Sequence, residues 1–324
     1  MLFSGFYFDR GDRPGRSSTI QDFFLIFVFF HIAAGNAFAF VTRYARGSTT
    51  TYFTVGAVNY ATAMVVAVTW AVLDGGLSFE WPAIVFGVFQ GLVYQTMYIV
   101  LFAMIALGGL SISFTVNRLA VAIPIAGAIF LWGEAPSAFR VAGIIVSFIA
   151  LPLIGSDAQR VARRTGASSR LMPLLSLYAV IFLGMSGLAA RAFVETRVEA
   201  NAVDLSAFLF MAATASSVIT WPFARRLARN EAIRRGSPPG PVAGRVQSRV
   251  LLVGVALGLL NFVQSITLIS ALVALPASFV FPFTASAALL ILTAVDYVVW
   301  KQRFGRLTVI GLALSAMTVL LINF

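Results

Sequence analysis

The pentapeptide Gly87-Val-Phe-Gln-Gly91 returns as Gly254-Val-Ala-Leu-Gly258, 167 positions further along the chain. The two surrounding stretches also correspond, with a slip of one residue towards their ends. The matching positions are Ser111 with Ser278, Trp132-Gly-Glu134 with Trp300-Lys-Gln302, and Gly143 with Gly311. A period near half of a 324-residue chain predicts two copies of one structural unit.

The composition places this duplicated unit in a membrane. Hydrophobic residues make up 60% of the chain and charged residues 11%, whereas a soluble domain carries roughly a quarter charged residues. Apolar runs of about 18 to 25 residues recur along the chain, the length that crosses ~30 Å of hydrocarbon. The alternation with a period of two that barrel strands require is absent from the sequence. The sequence therefore predicts an all-α polytopic membrane protein.

Ten apolar segments can be counted as transmembrane helices. They are 22–44, 51–73, 81–106, 109–131, 138–155, 171–193, 203–222, 249–272, 276–299 and 306–324. The N-terminal tail is 1–21, the first five-helix repeat 22–155, the linker 156–170 and the second repeat 171–324. A long basic connection at 223–248, with Ser-Pro-Pro-Gly at 237–240, is predicted to be a solvated loop.

An odd number of spans in each repeat has a topological consequence. The second copy must enter the membrane in the direction opposite to the first, so the two repeats are predicted to be inverted. In such proteins the substrate site lies near mid-membrane, between the repeats.

The basic residues predict the orientation. Sixteen of them fall in the odd-numbered connections, and five fall in the even-numbered connections and the N-terminal tail. The positive-inside rule then places the odd connections in the cytoplasm and both termini outside. The net charge of +11 is thus a feature of membrane topology, and nucleic acid is not expected as a partner. Among 23 basic residues there is one lysine, an arginine bias that suggests a GC-rich genome and hence a bacterium. The expected location is therefore a bacterial cytoplasmic (inner) membrane.

The fourth span ends in Trp132-Gly-Glu134, and a short turn then leads to a helix with Gly143. This segment, with Ala106–Ser113 and Pro124, resembles the drug/metabolite transporter superfamily, in particular its ten-helix EamA-type branch. Gln302 departs from the pattern, because that family has glutamate there, and Pro282 comes early in the ninth span. The resemblance covers nearly the whole chain. It implies a secondary transporter of small metabolites such as amino acids; relatives carry nucleotide sugars or phosphorylated sugars.

Arg118 is the most informative charged position, because it falls near the middle of the fourth span. A charge at that depth costs a few kcal/mol and normally faces protein or a wet cavity. Asn117 precedes it, and Thr115 lies three residues earlier on the same helical face. These residues are predicted to bind a substrate carboxylate or phosphate, and a purely structural arginine is the alternative.

A stripe of polar and aromatic residues follows helix three at spacings of four, with a counterpart in the second repeat. The stripe is Gln90, Tyr94 and Tyr98, and the counterparts on helix eight are Asn261, Gln264 and Ser265. Buried amides and phenols need partners, which another helix, water or a substrate can supply. Substrate binding and interhelical hydrogen bonding both remain open for this set.

Several other polar residues lie in apolar spans or at their ends. His31 and Asn59 are further candidates for substrate binding. His31 is also a candidate for proton coupling, with a packing or hydrogen-bonding role as the alternative. Arg191 is predicted to extend towards the membrane surface, with a part in the site as the alternative. Glu134 and Asp296 are predicted to form a helix cap or ion pair, or to act with Arg191 in gating or coupling.

The absence of catalytic motifs narrows the function. The sequence has no Walker A motif, no HExxH motif and no cysteine. We therefore expect neither ATPase nor other enzymatic activity, and neither a cofactor nor a metal. The expected partners are a small-molecule substrate, membrane lipids and a coupling proton or counter-substrate, in a monomer or homodimer. An intramembrane enzyme or a lipid-handling protein remains the alternative class.

Overall fold

The computed structural model describes residues 18–42, 44, 49–108, 119–154, 171–196, 202–234, 248–301 and 304–322. Within these ranges the chain is helical and contains no strand. The helices are α1 (Ser18–Thr42), α2 (Thr49–Leu73), α3 (Trp81–Gly108), α4 (Ala122–Trp132), α5 (Ala138–Ile154), α6 (Leu171–Glu195), α7 (Ala202–Arg234), α8 (Ser248–Ala274), α9 (Ala277–Trp300) and α10 (Arg306–Ile322).

Seven of the described helices are long and apolar enough to cross a membrane: α1, α2, α3, α6, α7, α8 and α9. The other three, α4, α5 and α10, are apolar but shorter. The predicted class, an all-α polytopic membrane protein, agrees with this architecture.

Two predicted boundaries differ from the structure. The fourth span was expected at 109–131, but the helix described there is Ala122–Trp132, and 109–118 lie outside the described residues. The prediction of a loop at 223–248 was wrong for residues 223–234, because α7 continues through Pro222 to Arg234. Alanine, leucine and arginine, which are good helix formers, fill most of that extension, and no glycine interrupts it. A helix of 33 residues is about 50 Å long and exceeds the ~30 Å hydrocarbon layer.

The described helices belong to two compact units. Unit 1 comprises Met1–Ala34, Val41–Gly91 and Thr196–Leu275. It contains most of α1, all of α2, the start of α3, and α7 and α8. Unit 2 comprises Gly35–Phe40, Leu92–Glu195 and Pro276–Phe324, and so contains α4, α5, α6, α9 and α10. Each unit therefore draws helices from both halves of the sequence.

In unit 1 the first copy of the glycine motif packs α3 against α7. A Cβ atom added at Gly87 would lie 2.7 Å from the Phe208 Cβ atom. At Gly91 it would collide with the Leu209 carbonyl oxygen. The two backbones approach this closely because glycine has no side chain. Contact positions rise together along both helices, so α3 and α7 run parallel there.

The second copy of the motif repeats this arrangement between α8 and α2. A Cβ atom at Gly254 would lie 2.6 Å from the Val58 Cβ atom, and one at Gly258 would lie 2.5 Å from the Asn59 carbonyl oxygen. These positions also rise together, so α8 and α2 run parallel. Each glycine-bearing helix thus packs on the second helix of the other half of the sequence.

Unit 2 has its own close contacts. A Cβ atom at Gly143, near the start of α5, would lie 2.7 Å from Ile322 at the end of α10. Helix α4 packs on α6, where a Cβ atom at Gly184 would lie 2.5 Å from the Ile123 side chain. These contacts position the turn between α4 and α5 beside the end of α6.

Candidate functional site

The predicted anion-binding residues Arg118, Asn117 and Thr115 lie outside the described residues. Their assignment to substrate binding remains a prediction. The other predicted residues lie in the described part of the chain. They include a polar group in unit 1 and an ionic group in unit 2, and Tyr94, Tyr98 and Asp296 also belong to unit 2.

An asparagine pair joins α2 to α8 inside unit 1. The Asn261 Nδ2 atom donates a hydrogen bond to the Asn59 Oδ1 atom over 3.4 Å. Asn59 is completely buried and Asn261 is 9% exposed. Within the part of the chain that the structure describes, the Asn59 Nδ2 atom has no hydrogen-bond partner. The pair therefore provides one interhelical hydrogen bond and one buried amide donor that a bound molecule or water can satisfy.

A further predicted residue on α8, Ser265, forms a hydrogen bond to α7. Ser265 is one turn from Asn261, and its hydroxyl oxygen is 2.7 Å from the Ser206 hydroxyl oxygen on α7. Ser206 donates its own proton to the Ala202 carbonyl over 2.8 Å, so Ser265 is the donor between the two serines. These bonds extend the polar group from α2 and α8 to α7.

His31 joins α1 to the same group. Its Nδ1 atom is 3.0 Å from the Gln264 backbone carbonyl oxygen. Because a carbonyl can only accept, Nδ1 carries the proton in this contact. The hydrogen-bonding alternative for His31 is thus realised, and its part in proton coupling remains a prediction. Gln264 takes part through its backbone rather than through the predicted side chain.

Most hydroxyls of α7 are satisfied within their own helix. Thr214 donates to the Phe210 carbonyl over 2.7 Å, and Ser216 donates to the Ala212 carbonyl over 2.7 Å. Such bonds to the preceding turn satisfy a hydroxyl without a ligand. They distinguish these positions from Asn59, whose amide donor cannot be satisfied in this way.

The predicted stripe on α3 is divided between the units. Gln90 is buried in unit 1, whereas Tyr94 and Tyr98 are half-buried in unit 2. All three take part in interactions with other residues. Their predicted common cavity with Asn261 remains a prediction.

Glu134 is the centre of an ionic group in unit 2. Its Oε1 atom accepts from the Ala277 backbone N–H and its Oε2 atom from the Ser278 backbone N–H, each over 3.0 Å. The same Oε1 atom lies 3.0 Å from the Arg191 Nη2 atom, and that nitrogen lies 2.6 Å from the Glu195 Oε1 atom. We call Glu134, Arg191, Glu195 and the first two residues of α9 the Glu134 cluster.

Local sequence explains how Glu134 reaches α9. Gly133 ends α4 in the left-handed conformation, with a φ of 64° that glycine adopts without strain. The chain then turns, and the Glu134 N–H donates back to the Ala128 carbonyl over 3.0 Å. The carboxylate is thereby directed at the N-terminus of α9, where the unpaired N–H groups and the helix dipole favour negative charge.

The structure corrects the expectation for Arg191. It does not extend to the membrane surface, because it is 7% exposed and its guanidinium is held between two carboxylates. Glu134 forms both the cap and the ion pair expected of it. Asp296 lies on α9, and its side chain is outside the described part of the structure.

Two acidic residues were not singled out from the sequence. Glu195 completes the ionic group, and Asp204, 3% exposed at the start of α7, accepts from the Ser78 N–H over 3.2 Å. An acidic residue in the first turn of a helix is a recognised signal, which identifies Asp204 as a possible cap. The position of Glu195 one turn after Arg191 indicates an ion pair along α6.

Comparison with known proteins shows a similarity of fold and nothing more specific. No protein-family model matches the chain, and no curated protein matches it. One solved structure, described as "Crystal structure of protein", is similar with a TM-score of 0.65 and 17% sequence identity. The similarity covers 94% of this chain and 98% of that chain. The fold is thus one already seen in a solved protein.

Proposed function

We propose that the protein is a secondary active transporter that exports or exchanges small polar metabolites, such as amino acids or related carboxylates, by alternating access. It would have ten spans arranged as two inverted five-helix repeats, similar to the EamA-type branch of the drug/metabolite transporters. A bacterial cytoplasmic membrane would hold it, with the odd connections inside.

The asparagine pair carries this proposal. An amide donor left without a partner in apolar helices costs about 1–3 kcal/mol. A protein that only needs to fold can avoid this cost with an apolar residue, and a protein that must bind a polar molecule cannot. The Asn59 Nδ2 atom therefore supports a site for a hydrogen-bond acceptor, such as a carboxylate or carbonyl oxygen.

Helix directions in unit 1 support inversion of the repeats. Helix α3 runs parallel to α7, and α8 runs parallel to α2. If consecutive spans alternate in direction, α2 opposes α3 and therefore also opposes α7. The two helices that occupy equivalent places in the repeats then point in opposite directions, as inversion requires.

Contacts between connections support alternate crossing by ten spans. The Asp204–Ser78 contact brings the connection between α2 and α3 to the start of α7. The Glu134 cluster brings together the end of α4, the end of α6 and the start of α9. Each of these two contacts joins only segments that ten alternating spans would place on the same side of the membrane, so each is consistent with alternate crossing.

The ionic group bears on the alternative substrate class. Several converging cations would suit a phosphorylated sugar or a nucleotide sugar. Arg191 already has two carboxylates as partners, so Arg118 is the remaining deep cation that the sequence offers. We therefore favour a singly charged carboxylate substrate, and a thermal-shift screen of amino acids against phosphorylated sugars would separate the two classes.

The test is flux of radiolabelled amino acids in proteoliposomes. Asn59→Leu and Arg118→Ala should each lower the flux by at least about tenfold, the effect of losing about 1.4 kcal/mol of binding. Thr214→Val is the matched control, because that hydroxyl is satisfied in its own helix. The double variant Asn59→Leu/Asn261→Leu removes both amides and protects the test against misfolding. Wild-type flux in all of these folded variants would refute the proposed site.

A further inference from the structure

We propose that the Glu134 cluster is a gate that closes the even-connection face of the protein and opens once in each transport cycle. This inference rests on the proposed transport function. It assigns a role in the transport cycle to a charged group that lies in unit 2 and is separate from the asparagine pair.

The first observation is that one carboxylate joins both halves of the duplicated sequence. Glu134 belongs to the first half, and its partners Arg191, Ala277 and Ser278 belong to the second. Alternating access in a protein with inverted repeats moves one repeat against the other. The cluster joins helices of both halves within unit 2, and such a movement would break these contacts when this end opens.

The second observation is the energetic character of the contact. The side chains of Arg191 and Glu134 are 8% and 12% exposed, so both have lost most of their water. The desolvation cost of a buried ion pair offsets much of its attraction. Opening the cluster would return the charges to water and recover that cost. A contact that is specific in geometry but nearly balanced in free energy suits a reversible closure better than a permanent clamp.

The third observation is that the charge is found in one repeat and not in the other. The duplication places Gln302 at the position that corresponds to Glu134. A neutral amide forms weaker hydrogen bonds than a carboxylate and no ion pair. The two repeats therefore differ in charge at this turn, and the proposed charged gate belongs to the turn of the first repeat alone.

A single-cysteine reporter tests this gate, because the chain contains no cysteine. Ser278 is 1% exposed and holds Glu134 through its backbone N–H, so Ser278→Cys should preserve the contact. In nanodiscs its thiol should react slowly with a maleimide. Adding Glu134→Gln, which keeps the shape and removes the charge, should accelerate the reaction about tenfold, as a shift of about 1.4 kcal/mol would produce.

Two matched controls separate gating from general loosening. Glu195→Gln removes a carboxylate whose ion pair with Arg191 lies within α6, so the Ser278→Cys reaction rate should change less than twofold. Ser315→Cys, fully buried on α10, should react equally slowly with or without Glu134→Gln. If Glu134→Gln destabilises the protein, Arg191→Lys provides a second way to weaken the cluster.

The outcomes distinguish the gate from the transport proposal. An unchanged Ser278→Cys rate in Glu134→Gln and Arg191→Lys would overturn the gate, even if amino-acid flux is present. Equal acceleration at Ser315→Cys would also overturn it, because the cluster would then be a structural clamp. Acceleration confined to Ser278→Cys supports the gate, and if amino-acid flux is absent the transport proposal fails separately.

Discussion

The Arg191 guanidinium pairs with two carboxylates at once, and the loss of both pairs determines how much stability is lost when it is removed. Arg191→Met would leave Glu134 and Glu195 without their cation in a largely buried place. Breaking a buried ion pair from one side costs about 3–5 kcal/mol, so the free energy of unfolding should fall by about that amount. Glu195→Gln should cost less than Arg191→Met, because Glu134 still pairs with the arginine and the amide leaves no buried charge without a partner. Denaturant unfolding in detergent measures both, and equal stabilities would contradict the pairing.

The asparagine pair predicts a coupled effect on stability. Asn59→Leu leaves the Asn261 donor without its acceptor, and Asn261→Leu leaves the whole Asn59 amide unsatisfied. The double variant removes both groups, so its loss of stability should be smaller than the sum of the single losses. The difference should be about 0.6 kcal/mol, the average found for interhelical hydrogen bonds in membranes. Additive losses in a double-mutant cycle would show that the 3.4 Å contact contributes nothing.

Individual polar residues were recognisable from the sequence, but their partners were not. The motif around Gly133 identified Glu134, and polarity in an apolar span identified Asn59 and Asn261. Sequence position gives depth in the membrane, and depth alone suggested that Arg191 reaches the surface. The structure shows carboxylates at the same depth, one from a distant turn, which hold the guanidinium inside. Which side chains pair across helices depends on how each helix is rotated about its axis. These helices are apolar on all sides, so the sequence does not predict that rotation.

Among the helices, the two glycine motifs have the clearest consequence. A methyl group at Gly91 would meet the Leu209 carbonyl, and one at Gly258 would lie 2.5 Å from the Asn59 carbonyl. Gly91→Ala and Gly258→Ala should therefore each push a helix pair apart and cost about 1–3 kcal/mol, as overpacking does. Val255→Ala, at a 40% exposed position of α8, is the control and should cost little. Thermal unfolding in detergent measures the three variants, and tolerance of both alanines would contradict the close packing.

The end of a helix was predictable from the sequence where the apolar segment and the run of helix-forming residues end at the same position. In α7 these two positions differ, because the segment after Pro222 is basic but still consists mainly of good helix formers. Hydropathy therefore places the end of the span at residue 222, while the hydrogen-bonded helix continues to Arg234. A proline inside a helix removes one hydrogen bond without ending the helix when the surrounding turns remain favourable.

At the level of the entire chain, the contacts between connections and the distribution of basic residues both bear on the membrane topology. The Asp204–Ser78 contact joins two even-numbered connections in unit 1, and the Glu134 cluster joins three of them in unit 2, as alternate crossing would require within each unit. In the proposed topology, the positive-inside rule would place the odd connections, with their sixteen basic residues, in the cytoplasm. If one span were miscounted, every later connection would be assigned to the opposite side of the membrane. Segments that are in contact in the structure would then be assigned to different sides.

Single cysteines therefore report the topology directly. In intact cells a membrane-impermeant maleimide should label Ser137→Cys, in the exposed turn between α4 and α5. Ser168→Cys and Ser237→Cys, in the third and fourth odd-numbered connections, should be labelled after the membrane is permeabilised and not before. Each serine is replaced by a residue of nearly its own size, so differences in labelling reflect sidedness rather than misfolding. Labelling of all three positions from one side would refute alternate crossing, and exchange of the two patterns would keep the ten spans while reversing the orientation.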